Sequence, residues 1–392
     1  MIIEFFFWIL LILVFYTYIG YGIVLLVLVK TKELFVSKNQ KIKVFEEFPD
    51  VTLLIAAYNE EAVITNKMKN SHELSYPEGR LKIVWITDGS NDETNKLLKE
   101  YLDVKILFEP ERRGKTAALN RAMNYIETPF VIFSDANTML NREAVLNLIN
   151  PFKDESIGCV AGEKRIASEG KDIASSSGEG FYWKYESCLK EMDSRLYSSM
   201  GAAGELYAIR TNLYRTIPSS ILLDDFVLSM LILESGYRIH YCKEAYAVEK
   251  GALNMVEEEK RKVRIAAGGI QSLILLKNLL NPAAHPKTWF QFISHRVLRW
   301  TITPVALFCL LPVNIFLSMA IHTQLYDYFL LIQVLFYGFA IVGKLNKDRK
   351  IRFKIFFIPY YFIFMNFCVV KGFVYLKKNK GKGTWEKSER KG

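Results

Sequence analysis

The stretch VIFSDANTML (131–140) drives an apolar strand into Asp135, with Asn137 two places on. Asp and Asn favour turns because their side chains bond nearby backbone amides, so this pair alone supports either a turn or a site. Two similar endings add weight to a site: LLIAAYNEE closes on Tyr58 and Glu60, and LKIVWITD closes on Asp88. Oxygen-bearing side chains gathered in one cleft suit a nucleotide or a hard divalent cation, which takes oxygen ligands and shares them with phosphate. RRGKTAALN (112–120) contributes Lys115. It resembles the end of a phosphate-binding loop but lacks the first glycine at the needed spacing, which argues against an ATPase. Further on, LLDDF sets Asp224 beside Asp225 ahead of an apolar run, and EEEKRKVR (257–264) ends on Arg264. One acid at a helix start is an ordinary dipole partner; two in succession are less ordinary.

Such residues need a scaffold that gathers strand ends. VTLLIAAY, LKIVWITD, VKILF and PFVIFSD are continuous apolar runs. Between them lie helical stretches: one opening at Asn59, one capped by Ser90 with Glu93 three places on, and one over 115–126. Continuous apolar strands alternating with helices predict an α/β fold with a mostly parallel sheet covered on both faces. Ligands in such sheets sit at the carboxyl ends of the strands. Three successive strand–helix units therefore bring Tyr58 and Glu60, Asp88, and Asp135 to one edge. On a helix starting at Asp224, Phe226, Met230 and Leu233 share an apolar face. GAAGELYAIR (201–210) reads as a strand after a tight turn, and EEEKRKVR on its own is also a salt-bridged amphipathic helix.

The ends have another character. Residues 5–29 carry no charge and are long enough to span a bilayer; no small-residue cleavage site follows, so the segment reads as a retained anchor. Further apolar runs at 302–321, 326–342 and 355–370 approach span length, and the last is expected to cross fully despite Pro359. The net charge of +10 does not imply nucleic acid, because basic residues crowd 344–354 and the tail beside these runs. There the positive-inside bias and anionic lipid account for them. Five scattered cysteines, with no CxxC pair, imply neither a disulfide framework nor a zinc site and fit a reducing compartment. GIQSLILLKNLLNP and WFQFISHRVLRW read as helices at the membrane surface. The expected division is an anchor (1–30), an aqueous domain (45–270), interfacial helices (271–300), membrane helices (301–376) and a basic tail (377–392).

LLIAAYNEE, TDGSNDET, RRGKTAALN and SDANT, in this order, resemble the family 2 inverting glycosyltransferases of GT-A fold over residues 49–270. The resemblance is to the membrane-integrated branch that includes cellulose, chitin, hyaluronan and poly-N-acetylglucosamine synthases. It implies that Ala57, Tyr58 and Glu60 border the nucleotide, that Asp88 contacts the uracil or ribose, and that Lys115 faces the diphosphate. Asp135 and Asn137 stand at the family's Asp-x-Asp position, which holds Mg²⁺ or Mn²⁺; the amide of Asn137 ligates without adding charge. Asp224 and Asp225 match the Thr-Glu-Asp region, with Asp225 as catalytic base. Arg264 keeps the arginine of Gln-x-x-Arg-Trp as a diphosphate partner, whereas Arg261 and Ile265 replace its Gln and Trp. FYWKYE (181–186) either lines the acceptor cleft or belongs to an aromatic core.

The implied activity is transfer from a nucleotide sugar, UDP-linked, to a growing polysaccharide with inversion. Single-sugar transfer to a lipid-linked acceptor is the alternative within enzymes, and an inactive scaffold or regulatory partner is the alternative of another class. Membrane lipid and export or assembly partners are implied alongside. The expected location is the plasma (inner) membrane, with the catalytic domain cytosolic.

Overall fold

The computed structural model describes residues 1–35, 45–167, 174–251, 254–321, 323–346 and 354–378. The basic stretch 347–353 and the tail 379–392, with the topology argument built on them, lie outside the described residues.

Eight strands form one sheet: β1 (Val51–Ala57), β2 (Leu81–Asp88), β3 (Lys105–Glu109), β4 (Phe130–Asp135), β5 (Thr138–Leu140), β6 (Ile157–Ile166), β7 (Leu206–Arg210) and β8 (Arg238–Glu249). Their order is β3-β2-β1-β4-β7-β6-β8-β5. The first four strands are mutually parallel, β7 runs antiparallel between β4 and β6, and β6 pairs parallel with β8. Side chains alternate across a strand, so β1 sends Val51, Leu53 and Ile55 into one buried layer and Leu54 into the other. That is why the run is apolar without interruption.

Register then fixes the site edge. Ala56 pairs with Asp135, Ala57 with Thr87, and Asp88 with Glu109, so β1, β2 and β4 end together.

The helices after β1 and β2 begin later than expected. The stretch after β1 is a turn through Asn59, held at φ 52°, and its helix begins only at Ile64 (Ile64–His72). Ser90 does not cap a helix. Its hydroxyl accepts the Asn59 backbone N–H (3.1 Å), and the helix begins later, as Thr94–Leu98.

Four described helices are long and apolar enough to cross a membrane: Ile2–Phe35, Ile302–Ile321, Gln324–Leu345 and Lys354–Lys378. The last runs through Pro359. The segment after residue 271 departs from the surface-helix expectation. Leu273, Leu276, Leu279 and Phe292 are buried in the same core as the sheet, while Ile274 stays 75% exposed.

Lys354–Lys378 also packs along Met255–Leu275, where a Cβ on Gly372 would stand 2.8 Å from the Ala267 nitrogen. Gly372→Leu is expected to destabilise the protein by about 1–3 kcal/mol through overpacking. A lower melting temperature in detergent checks this; an unchanged midpoint would mean the helices do not meet so closely.

Candidate active site

The loops after β1 and β2 brace each other. Asn59 Nδ2 donates to Asn91 Oδ1 (2.7 Å) while Asn91 N–H donates back to Asn59 Oδ1 (3.0 Å). The Glu60 N–H donates to Thr94 Oγ1 (2.8 Å). Tyr58, thus fixed, lies under the Arg112 guanidinium, 3.9 Å from the ring centroid. Such contact is electrostatically favourable.

Asp88 is buried, and its carboxylate accepts the backbone N–H groups of Arg113 (3.1 Å) and Gly114 (2.6 Å). It therefore anchors the loop that presents Lys115, the first residue of the Lys115–Met123 helix. Gly114 enters that helix at φ 94°, a backbone conformation L side chains rarely adopt.

Lys115 Nζ reaches Asp135 Oδ1 at 2.5 Å. Burial works to lower its pKa, but the carboxylates of Asp135, Asp224 and Asp225 outweigh that and hold the amine above its ordinary value. Beneath the turn after β4, fully buried Lys67 donates to Ser134 Oγ (2.8 Å) and to the Thr138 carbonyl (2.7 Å). This clamps Asp135 and Asn137 from behind.

Asn137 Oδ1 is buried with no hydrogen-bond partner. A buried acceptor left unmade is costly, so this oxygen suits an incoming cation or donor. Among the described residues no three His, Cys, Asp or Glu side chains converge on a metal position. A cation at Asp135 and Asn137 would take the rest of its shell from water and from phosphate oxygens of a bound ligand.

Asp224 and Asp225 open the Asp224–Glu234 helix. Burial first, then the neighbouring Asp224, pushes the Asp225 carboxyl up to about 7, against the opposing pull of Lys115. The 201–204 turn wraps it closely. Gly201 sits at φ 99° against the Phe226 ring, and a Cβ on Gly204 would stand 3.1 Å from Asp225 Oδ2 and 3.3 Å from Lys115 Nζ.

Ala57, Tyr58, Glu60, Asp88, Lys115, Asp135, Asn137, Asp224, Asp225 and Arg264 all line one cavity of about 410 Å³. Arg264 Nε is buried without a partner. Arg261, by contrast, is engaged by Glu249 (3.4 Å) and Glu258 (3.1 Å). Tyr182 and Trp183 of the FYWKYE stretch line the cavity too, as the cleft reading has it; the side chain of Phe181 lies outside the described residues.

Residues that the sequence did not single out as site residues complete the wall: Arg112, Lys164, Lys190, Glu205, Arg296 and Trp300. Lys164 pairs with Glu205 and Glu249. It lies within the charged run 163–165 that closes β6, where nothing local sets it apart from its neighbours. Lys190 and Trp300 carry no local signal either.

The parallel strands whose ends present an acidic turn and a bracing lysine, extended by antiparallel β7, form a GT-A-like sheet. Residues 52–217 match the model of Glycosyl transferase family 2.

The poly-beta-1,6-N-acetyl-D-glucosamine synthase of Staphylococcus aureus is 28% identical over 256 residues, covering 62% of this chain and 60% of the relative. The beta-monoglucosyldiacylglycerol synthase of a Nostoc species is 27% identical over 262 residues, covering 62% and 54%. The chain thus spans about 60% or less of the length of these relatives. A mannosyltransferase from Pyrobaculum calidifontis, solved in complex with GDP-Man and Mn²⁺, matches the fold with a TM-score of 0.70. It is 21% identical, with 95% of this chain and 98% of that one covered.

Proposed function

We propose that this protein transfers a hexosyl or N-acetylhexosaminyl unit from a nucleotide sugar, UDP-linked, to a growing polysaccharide with inversion. The reading rests on one observation: Lys115, Asp135 and Asp225, from three separate elements, meet in a single cavity. The S. aureus relative is named a polysaccharide synthase, which supports a polymeric product.

Inversion needs one displacement at the anomeric carbon, with the acceptor hydroxyl losing its proton as it attacks. Asp225, lifted to about 7, is matched to take that proton near neutral pH. Lys115 and Arg264 meet the negative charge that develops on the departing diphosphate. Tyr58 and Glu60 border the nucleoside, and Asp88 both borders it and holds the Lys115 loop. Asp135 and Asn137 would hold Mg²⁺ or Mn²⁺, which would neutralise charge on the diphosphate. Asp224 keeps Asp225 basic. The protein resides in the plasma (inner) membrane with this domain cytosolic, taking its acceptor at the bilayer.

A second reading, single-sugar transfer to a lipid-linked acceptor, is favoured by Met365. This residue of the Lys354–Lys378 helix forms part of the cavity wall. The Nostoc relative, named a glycolipid synthase, points the same way.

Membranes holding the full chain are incubated with a panel of nucleotide sugars. Nucleoside diphosphate release with one donor, together with long products on gels, is the expected result. A single-sugar product supports the second reading, and no release with any donor would sink both.

A further inference from the structure

We infer that the part of the cavity around Lys190 is an acceptor subsite for an anionic group, a phosphate or carboxylate, received by Lys190; this rests on the transferase reading above. Lys190 lies on the Ala174–Leu196 helix, is only 6% exposed, and lines the cavity. Its ammonium sits beside the rings of Trp183 (5.7 Å) and Tyr241 (5.9 Å). Among the described residues it has no ion pair and no hydrogen-bond acceptor.

The carboxylates nearby are committed elsewhere. Glu186 serves Arg296 (2.8 Å), Arg299 (3.1 Å) and His295 (3.2 Å), and Glu205 serves Lys164. Burying an ammonium without a counter-charge is costly, and burial accordingly lowers the pKa of Lys190. An anion brought by a ligand removes that cost.

Lys190 and Asp225 line the same cavity, and the charges of Glu186, Arg296, Glu205 and, least, Asp225 act on its ammonium. The anion it receives therefore belongs to the molecule carrying the attacking hydroxyl. Ile265, Trp300 and Met365 add apolar wall to the same cavity, so an amphiphile with a phosphate headgroup and an acidic sugar chain are the two sources of such a group.

The test is binding by the purified full chain in neutral detergent, without donor, measured by calorimetry. One probe pair is dihexanoylphosphatidylglycerol against dihexanoylglycerol; the other is a glucuronate-ended against a glucose-ended disaccharide. The anionic member of one pair is expected to bind about tenfold tighter, the scale of a charge-assisted contact. Whichever pair shows the preference identifies the source. Lys190→Gln should erase it, and Lys190→Arg should keep most of it.

No preference in either pair, or a preference that survives Lys190→Gln, overturns the assignment. So does a marked fall in the melting temperature of Lys190→Gln, which would assign the side chain to holding the fold. Because no donor is present, a failure of the transferase reading shows separately, in the nucleoside diphosphate assay.

Discussion

Asp225→Asn is expected to lower turnover by about 10²-fold or more while nucleoside diphosphate binding survives, because shape is kept and basicity removed. The pH profile makes the result specific. Burial and Asp224 raise this carboxyl to about 7, so the inactive protonated form accumulates below that pH. Wild-type turnover should fall as pH drops through about 7 and level off above it, and the variant's residual activity should lack this limb.

Stability separates the loss from misfolding. A carboxyl whose folded pKa exceeds its unfolded value binds its proton more tightly when folded, so stability declines as pH rises between the two. At neutral pH the asparagine variant should therefore melt no lower than wild type. Near-normal turnover, or a pH limb unchanged in Asp225→Asn, would remove the base assignment.

Asp135→Ala should abolish detectable transfer, and a chelator should do the same to wild type, reversed by Mn²⁺ or Mg²⁺. The variant also frees Lys115, which now holds Asp135 at 2.5 Å, so nucleotide binding should fall less than turnover. Asn137→Asp adds a charge at the buried, unpartnered amide oxygen and should lower the Mn²⁺ concentration needed for half-maximal activity. Full activity in chelator, or an Asn137→Asp variant with unchanged metal demand, would contradict the cation's place here.

The site edge was legible because β1, β2 and β4 are buried on both faces. Unbroken apolar runs mark such strands, and the acids that end them stand out by contrast. Asp224 and Asp225 were legible for a similar reason, as adjacent charges ahead of Phe226, Met230 and Leu233, all buried. Ser90 was misread because its local pattern is that of a cap, while its partner, Asn59, lies on the neighbouring loop.

Lys67 and Lys190 were invisible for a deeper reason. Their neighbours are remote in sequence, and nothing in a lysine's immediate context tells a buried ammonium from a solvated one. The segment 271–300 carries an amphipathic pattern that fits a membrane surface and a protein core equally. The structure buries Leu273, Leu276, Leu279 and Phe292 against the sheet domain.

The tight crossing at Gly372 limits how the molecule can be handled. Phe357, Tyr361, Phe364 and Cys368 pack around Met255, Tyr361 hydrogen-bonds Glu258 at 3.0 Å, and Met365 closes the cavity. Excising residues 45–300 as a water-soluble fragment would strip the Met255–Leu275 helix of its cover and leave the reaction chamber open on one side. The sheet domain and the Lys354–Lys378 helix therefore share packing that a fragment would lose, and the protein is to be purified whole.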